Sequence, residues 1–248
     1  MKNNFLLVVL LIFGISQITL AQLTVNIESG LAFTQYNEVR APNGSGEIGT
    51  FFSLKDDFNQ TQTPVYFRAE AAYLFADKHT VELTAVPLVI ESSNLELPVI
   101  KFEDTEFSGD NITGRYQFNT YRLSYRYRFI NKEKFQLNAG ATLLVRDAEI
   151  SLTQGDLFAT NTDLGLVPLL SLDTRYAFNS KLSLALKGDA LVGPVGRAED
   201  VFLGFVYQPS SRVGVRAGYR LIEGGADVDQ VYNFAFIHFA ALGLRVTL

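Results

Sequence analysis

No cysteine occurs anywhere in the chain. That removes disulfides, thiolate metal sites, nucleophilic thiols and the lipidated N-terminal cysteine of a lipoprotein together. Histidine is nearly as scarce, with only His79 and His238 among 248 residues, so imidazole-based catalysis has two candidates to draw on. Gly-rich phosphate loops and zinc-ligand spacings are missing as well. A net charge of −5 gives no general reason to expect nucleic acid as a partner. After residue 21, no stretch approaches the ~20 consecutive apolar residues of a membrane helix, although 48% of the chain is hydrophobic and 12% aromatic. If this chain crosses a membrane, strands must cross it. No Pro/Gly/Ser-rich linker or shift of composition divides it, so one domain is the simplest organisation.

What is present begins with a leader. Lys2 precedes an apolar run from Phe5 to Ile15, followed by Thr19-Leu20-Ala21, the small-residue pattern of a signal peptidase site. The competing reading, a membrane anchor, wants leucine where Gln17 and Thr19 stand. Residues 1–21 are therefore expected to be a signal peptide, and residues 22–248 one domain of 248 − 21 = 227 residues.

From Gln22 onward, apolar residues recur with period two in ten segments separated by turn chemistry, the strand signal rather than the helix signal. Leu23, Val25, Ile27, Leu31 and Phe33 oppose Thr24, Asn26 and Glu28. Val65 to Phe75 alternates with Tyr66, Arg68 and Glu70, and Val81, Leu83 and Ala85 with Thr80, Glu82 and Thr84. In the fourth segment Tyr121, Leu123, Tyr125, Tyr127 and Phe129 alternate with Arg122, Ser124, Arg126 and Arg128. The fifth and sixth set Phe135 to Val145 against Gln136, Asn138, Thr142 and Arg146, and Leu164 to Phe178 against Asp163, Ser171, Asp173 and Arg175. Leu182, Leu184 and Leu186 oppose Ser183, Lys187 and Asp189, and the eighth segment carries Val201, Leu203, Phe205 and Tyr207. Val213 to Leu221 alternates with Arg216 and Arg220, and the last segment sets Phe234, Phe236, Leu242, Leu244, Val246 and Leu248 against Asn233, Arg245 and Thr247.

Short connections near residues 77, 132, 179 and 209 alternate with longer ones near 36–63, 90–117, 147–162, 193–199 and 222–231. Membrane barrels show this asymmetry, with short periplasmic turns and long outer loops. An even strand count then puts both termini in the periplasm. Tyr73-Phe75, Tyr127-Phe129, Tyr176-Phe178 and Phe205-Tyr207 each precede a short turn, where an interfacial aromatic girdle belongs. Phase slips near Asn119-Thr120 and across residues 147–150 point to bulges or to strand tips beyond the membrane. The pattern predicts an all-β fold, a closed antiparallel transmembrane β-barrel of about ten strands, with eight to twelve compatible with the spacing. A soluble sandwich is the competing architecture. The leader, the ten-residue strands, the loop asymmetry and a final strand that ends in mid-pattern favour the barrel.

Ala241-Leu242-Gly243-Leu244-Arg245-Val246-Thr247-Leu248 resembles the C-terminal signal of outer-membrane barrels, with Leu248 standing where an aromatic is usual. Residues 45–50 with 54–57, then 121–127, 162–168, 196–200 and 223–227, together resemble an uncharacterised, porin-like family of small outer-membrane β-barrels of Gram-negative bacteria. That resemblance implies fold and location, and carries no activity with it. The partners it implies are outer-membrane lipid and lipopolysaccharide, and the barrel-assembly machinery through Gly243, Val246 and Leu248.

In a barrel the charged face points inward. The candidate lumen network is Arg68, Glu70, Glu82, Arg122, Arg126, Arg128, Asp173, Arg175, Asp189, Arg216, Arg220 and Arg245, with Glu28 and Arg146 on the same face. About eight strands leave an interior just filled by side chains, whereas ~16 leave a channel. Ten strands lie near the filled end, so an ion-pair plug is expected, since uncompensated buried charge is costly. The barrel would then be structural, or bind through its outer loops. The alternative is a narrow pore for small polar or anionic solutes, because arginines outnumber the acids placed inward. An enzyme is the disfavoured reading. An omptin-like protease needs paired Asp and an Asp-His pair at the outer mouth, and a lipid A deacylase needs Ser beside His where Ala240 follows His238. His79 falls at a periplasmic turn and His238 on the lipid-facing phase. Asp56-Asp57, Glu103-Asp104, Asp156, Asp227 and Asp229 make the outer loops acidic, in spacings unlike an EF-hand. Neither a metal site nor a cofactor is assigned.

Overall fold

The structure, a computed structural model, describes residues 22–60, 63–93 and 97–248. The expected signal peptide, residues 1–21, lies outside the described residues. Ten strands form the wall. They are β1 Gln22–Arg40, β2 Val65–Phe75, β3 His79–Val86 with its continuation Val89–Ser93, β4 Thr113–Asn131, β5 Phe135–Gln154, β6 Leu157–Ala177, β7 Leu182–Gly193, β8 Gly196–Tyr207, β9 Val213–Val228 and β10 Val231–Thr247. Each pairs antiparallel with its chain neighbour, and β1 pairs with β10 from Thr24↔Thr247 to Arg40↔Tyr232, which closes the barrel. Among the described residues there is no helix.

Period-two alternation turns one apolar face outward all around this wall. Ile27, Phe33, Phe67, Leu83, Leu123, Leu166, Phe205 and Leu242 are exposed, Leu164 by 77%. Apolar surface left in water costs about 25 cal/mol per Å², so a continuous belt of this kind suits hydrocarbon and makes this a transmembrane barrel. At one rim the rings of Tyr73 and Phe75, Tyr127 and Phe129, and Tyr176 and Phe178 pair at centroid separations of 6.0, 5.1 and 5.5 Å. This is the girdle expected beside the short turns. His79 belongs to it, stacked on Phe75 and with Nδ1 2.7 Å from the Tyr125 hydroxyl.

The four short turns fall where the sequence places them. Three of the expected long outer loops do not exist. β5 and β6 run on until only Gly155 and Asp156 separate the paired Gln154 and Leu157, with Gly155 at φ +57° where a side chain would be strained. Pro194-Val195 alone joins β7 to β8, and Asp229-Gln230 alone joins β9 to β10. Above the membrane both faces of a strand meet polar surroundings, so the alternation that identifies strands fades there. The phase slips have the same origin, because pairing runs unbroken from Arg146↔Thr120 to Ile150↔Tyr116. Register shifts lie elsewhere, between Thr34 and Tyr36 of β1 and opposite Leu137 and Asn138 of β5.

The two remaining long connections fold back over the outer mouth. Phe52–Ser53 adds to β1, and Leu97–Phe102 pairs with Thr105–Gly109 as a separate hairpin. The Thr50 amide donates to the Lys101 carbonyl and the Glu103 amide to that of Ala41, each at 2.8 Å. Phe52, Leu54, Phe58, Ile100, Phe102 and Phe107 thereby pack on Val39, Ile90, Tyr116 and Leu152 of the wall. Below this cap Tyr66, Phe202, Ile222, Ile237 and Phe239 also point inward and are buried. Inward-facing side chains are thus not all polar: apolar ones gather under the cap, alongside ion pairs such as Arg115–Glu149.

Candidate functional site

The alternating charged residues of seven strands meet in one layer across the lumen. Glu28 of β1 accepts from Arg220 Nε at 2.7 Å, faces Arg216 Nε at 2.8 Å and accepts from the Tyr66 hydroxyl at 2.6 Å. Asp200 of β8 is held by Arg68 and Arg122, both at 2.7 Å, and by Arg220. Glu70 accepts from Arg68 at 2.6 Å, Arg216 at 3.2 Å and Lys187 at 3.1 Å. Glu82 takes Arg126 at 2.8 Å and Lys187 at 2.7 Å. Asp189 accepts from Arg122 at 3.0 Å, Ser171 at 2.7 Å and Thr142 at 2.9 Å. Arg216 and Arg220 also lie over the Phe202 ring, 5.5 and 5.3 Å from its centre.

Five carboxylates thus face five guanidiniums and one ammonium, and the side chains of Glu28, Arg68, Glu70, Arg122, Asp200 and Arg220 are at most 3% exposed. Burying charge costs several kcal/mol per ion unless partners satisfy it. Here every acid has at least two charged or hydroxyl partners.

Of the twelve lumen residues expected from sequence, Arg68, Glu70, Glu82, Arg122, Arg126, Asp189, Arg216 and Arg220 meet in this layer. Arg128, Asp173, Arg175 and Arg245 do not; they line an open vestibule on the side of the short turns. There Arg128 donates to Asn138 at 3.2 Å and Arg175 to Ser183 at 2.8 Å. Among the described residues no carboxylate lies within ion-pair distance of Arg128, Arg175 or Arg245. The surplus of arginine read from the sequence sits in this vestibule, while the layer itself carries a surplus of one positive charge.

Sequence reasoning missed Asp200, which binds three arginines, and gave Lys187 and Phe202 no role. Asp200 precedes Val201, the first residue assigned to the eighth strand, and extending the alternation by one position points it inward.

The other half holds a small chamber, with about 70 Å³ of free volume, whose floor includes Arg122 and Asp200. Arg146 pairs with Asp163, and Arg197 with Glu223, in its wall. His238 lies outside it, on the outward face, with its ring against Phe236 and Nδ1 against the Tyr219 hydroxyl. Asp227 at the outer rim accepts from Asn43 at 2.8 Å. Among the described residues no three His, Cys, Asp or Glu side chains gather as a metal site.

No family model matches the chain, and no curated protein matches its sequence. Solved structures do. The outer membrane protease OmpT of Escherichia coli superposes with a TM-score of 0.54 at 10% identity, over 92% of this chain and 97% of that one. An outer-membrane channel of Pseudomonas putida F1 gives 0.43 at 11% identity, over 92% and 95%. The attachment invasion locus protein Ail of Yersinia pestis gives 0.36 at 12% identity, over 91% and 98%. With the OmpT superposition, the closed ten-strand wall has the fold of an outer-membrane β-barrel.

Proposed function

We propose that the protein is a sealed barrel of the Gram-negative outer membrane that acts by binding on its outer side, and neither conducts solutes nor catalyses a reaction. The carrying observation is the burial of the ion-pair layer, whose central carboxylates and guanidiniums are at most 3% exposed. A pore lined by these groups would leave them hydrated, since a conducted ion must meet side chains that exchange freely with water. The belt and the girdle support lipid and lipopolysaccharide as its surroundings, with short turns and both termini in the periplasm. Gly243, Val246 and Leu248 remain the residues through which the assembly machinery would engage the last strand. Gly243 points inward, where a Cβ would come within 2.8 Å of Arg216 Nε. Against catalysis, His238 and His79 both sit on the outward side of the wall, away from the chamber and from the acids inside it.

Planar bilayers test the seal. Refolded residues 22–248 are expected to give no unitary current, whereas Arg220→Ser combined with Phe202→Ala, which removes the centre of the layer, gives flickering steps. Steady steps from the unaltered protein, reduced on changing Arg126, would instead establish the narrow anion-favouring channel.

A further inference from the structure

The wall is not equally tall all round. β6 pairs with β7 only from Ala177↔Ser183 to Leu170↔Ala190, then runs on to Leu157 with β5 as its single neighbour. Its hydrogen-bond phase explains the stop. The Ala177 amide donates to Lys134 on the β5 side and the Phe178 amide to Leu182 on the β7 side. Amides alternate sides along a strand, so even-numbered residues of β6 face β7. The next β7-facing position beyond the last pair is Pro168, opposite Val192, and proline has no N–H to give. β7 and β8 then turn back at Pro194-Val195. A notch is left between the tall β5–β6 and β9–β10 hairpins.

The notch lies at the outer edge of the lipid. Tyr176 and Phe178 mark the periplasmic interface, and a tilted strand climbs roughly 2.5 Å per residue, so an apolar band of ~25 Å ends near Val167. Leu164, Leu166, Leu170, Val192 and Val195 form an exposed apolar rim there. Behind it lies the small chamber above the ion-pair layer, with about 70 Å³ of free volume. A second, more open space of about 580 Å³ shares Arg146, Val167 and Arg197 with it and reaches Val195 at the hairpin tip, so that the two together fall within the roughly 300–1,000 Å³ of small-ligand pockets.

The chamber is apolar at Tyr116, Leu144, Leu169 and Ile222, yet two groups in its wall are unmatched. Arg146 Nε and Glu199 Oε2 are buried without a hydrogen-bond partner. Buried polar atoms are ordinarily paired, and leaving one unmade costs about 1–3 kcal/mol. One of these atoms needs an acceptor and the other a donor.

We propose that the chamber binds a single-chain zwitterionic amphiphile drawn sideways from the outer leaflet through the notch. Its chain occupies the apolar lining, its phosphate meets Arg146, and its ammonium meets Glu199. The proposal rests on the sealed floor proposed above. Current through the unaltered barrel would remove that floor and leave binding measurable, so the two readings fail separately.

The absence of native cysteine makes a clean test. Residues 22–248 in detergent are titrated with radiolabelled monoacyl phosphatidylethanolamine of 14 carbons. Pro168→Cys with Val192→Cys, joined by oxidation or by a bismaleimide as confirmed by mass, staples the notch. Saturable binding by the unaltered and unstapled forms is expected, falling at least tenfold on stapling. Ala198→Phe, which fills the chamber, and Glu199→Gln, which removes the ammonium's partner, should each weaken binding at least fivefold while the barrel remains folded by its heat-modifiable gel mobility. Undiminished binding in the stapled form, or equal binding by all variants, overturns the proposal, as does no saturable binding to the unaltered protein.

Discussion

A charged side chain inside a barrel is tolerable only as part of a set, and Arg220 shows how closely the set is matched. Its guanidinium donates to Glu28 at 2.7 Å and to Asp200 while resting on Phe202. Truncating it leaves two buried carboxylates short of a partner, and breaking a buried pair from one side typically costs about 3–5 kcal/mol. Arg220→Ala is therefore expected to lose that much in urea titrations of folding into lipid vesicles. Arg220→Met with Glu28→Gln should recover part of the loss, because it removes a facing pair and leaves the charge balance of the layer unchanged. A neutral Arg220→Ala would mean that water already reaches the layer. The arginines of this layer were legible because each alternates with aromatic or aliphatic neighbours. Which carboxylate each one meets was not, since Asp200 draws on strands that are distant in sequence.

At the scale of single elements, strand length was the least legible property. The apolar alternation marks the lipid-crossing part of each strand, but β5, β6 and β9 continue beyond it through Asp147, Asn161 and Asp227, residues that read as loop. Pairing alone decides that these segments are extended. The unpaired edge of β6 makes this measurable. Leu164 and Leu166 direct their amides toward the missing neighbour, whereas Asp163, Gly165 and Val167 bond to β5. Hydrogen exchange followed residue by residue should show rapid exchange at Leu164 and Leu166 between protected odd-numbered neighbours. Uniform protection would mean that β7 reaches past Pro168 and that the notch is closed.

Across the whole molecule, closure and orientation are joined. An even number of strands puts both ends of the chain on one rim, the one with the aromatic girdle and the short turns, and the proposed orientation makes that rim periplasmic. A single Asp156→Cys at the β5–β6 tip is expected to react with an impermeant maleimide on intact cells. Lys132→Cys at the β4–β5 turn should react only after the envelope is permeabilised. The reverse pattern would invert the barrel and place the cap, chamber and notch on the periplasmic side.

The sequence by itself determined the wall: period-two alternation over ten segments admits a sheet with one lipid face and one enclosed face, and the turn residues between segments place its short-turn rim. Only the tertiary structure decided what fills the enclosure. Side chains reach across a lumen from strands that are not neighbours, so the pairing of Asp200 with Arg68 and Arg122 and the apolar cap over one mouth have no local signature. The meaning of Pro168 is of the same kind. A proline in a strand is visible in any sequence, but which neighbour loses its hydrogen bond depends on the side that residue faces once the barrel has closed.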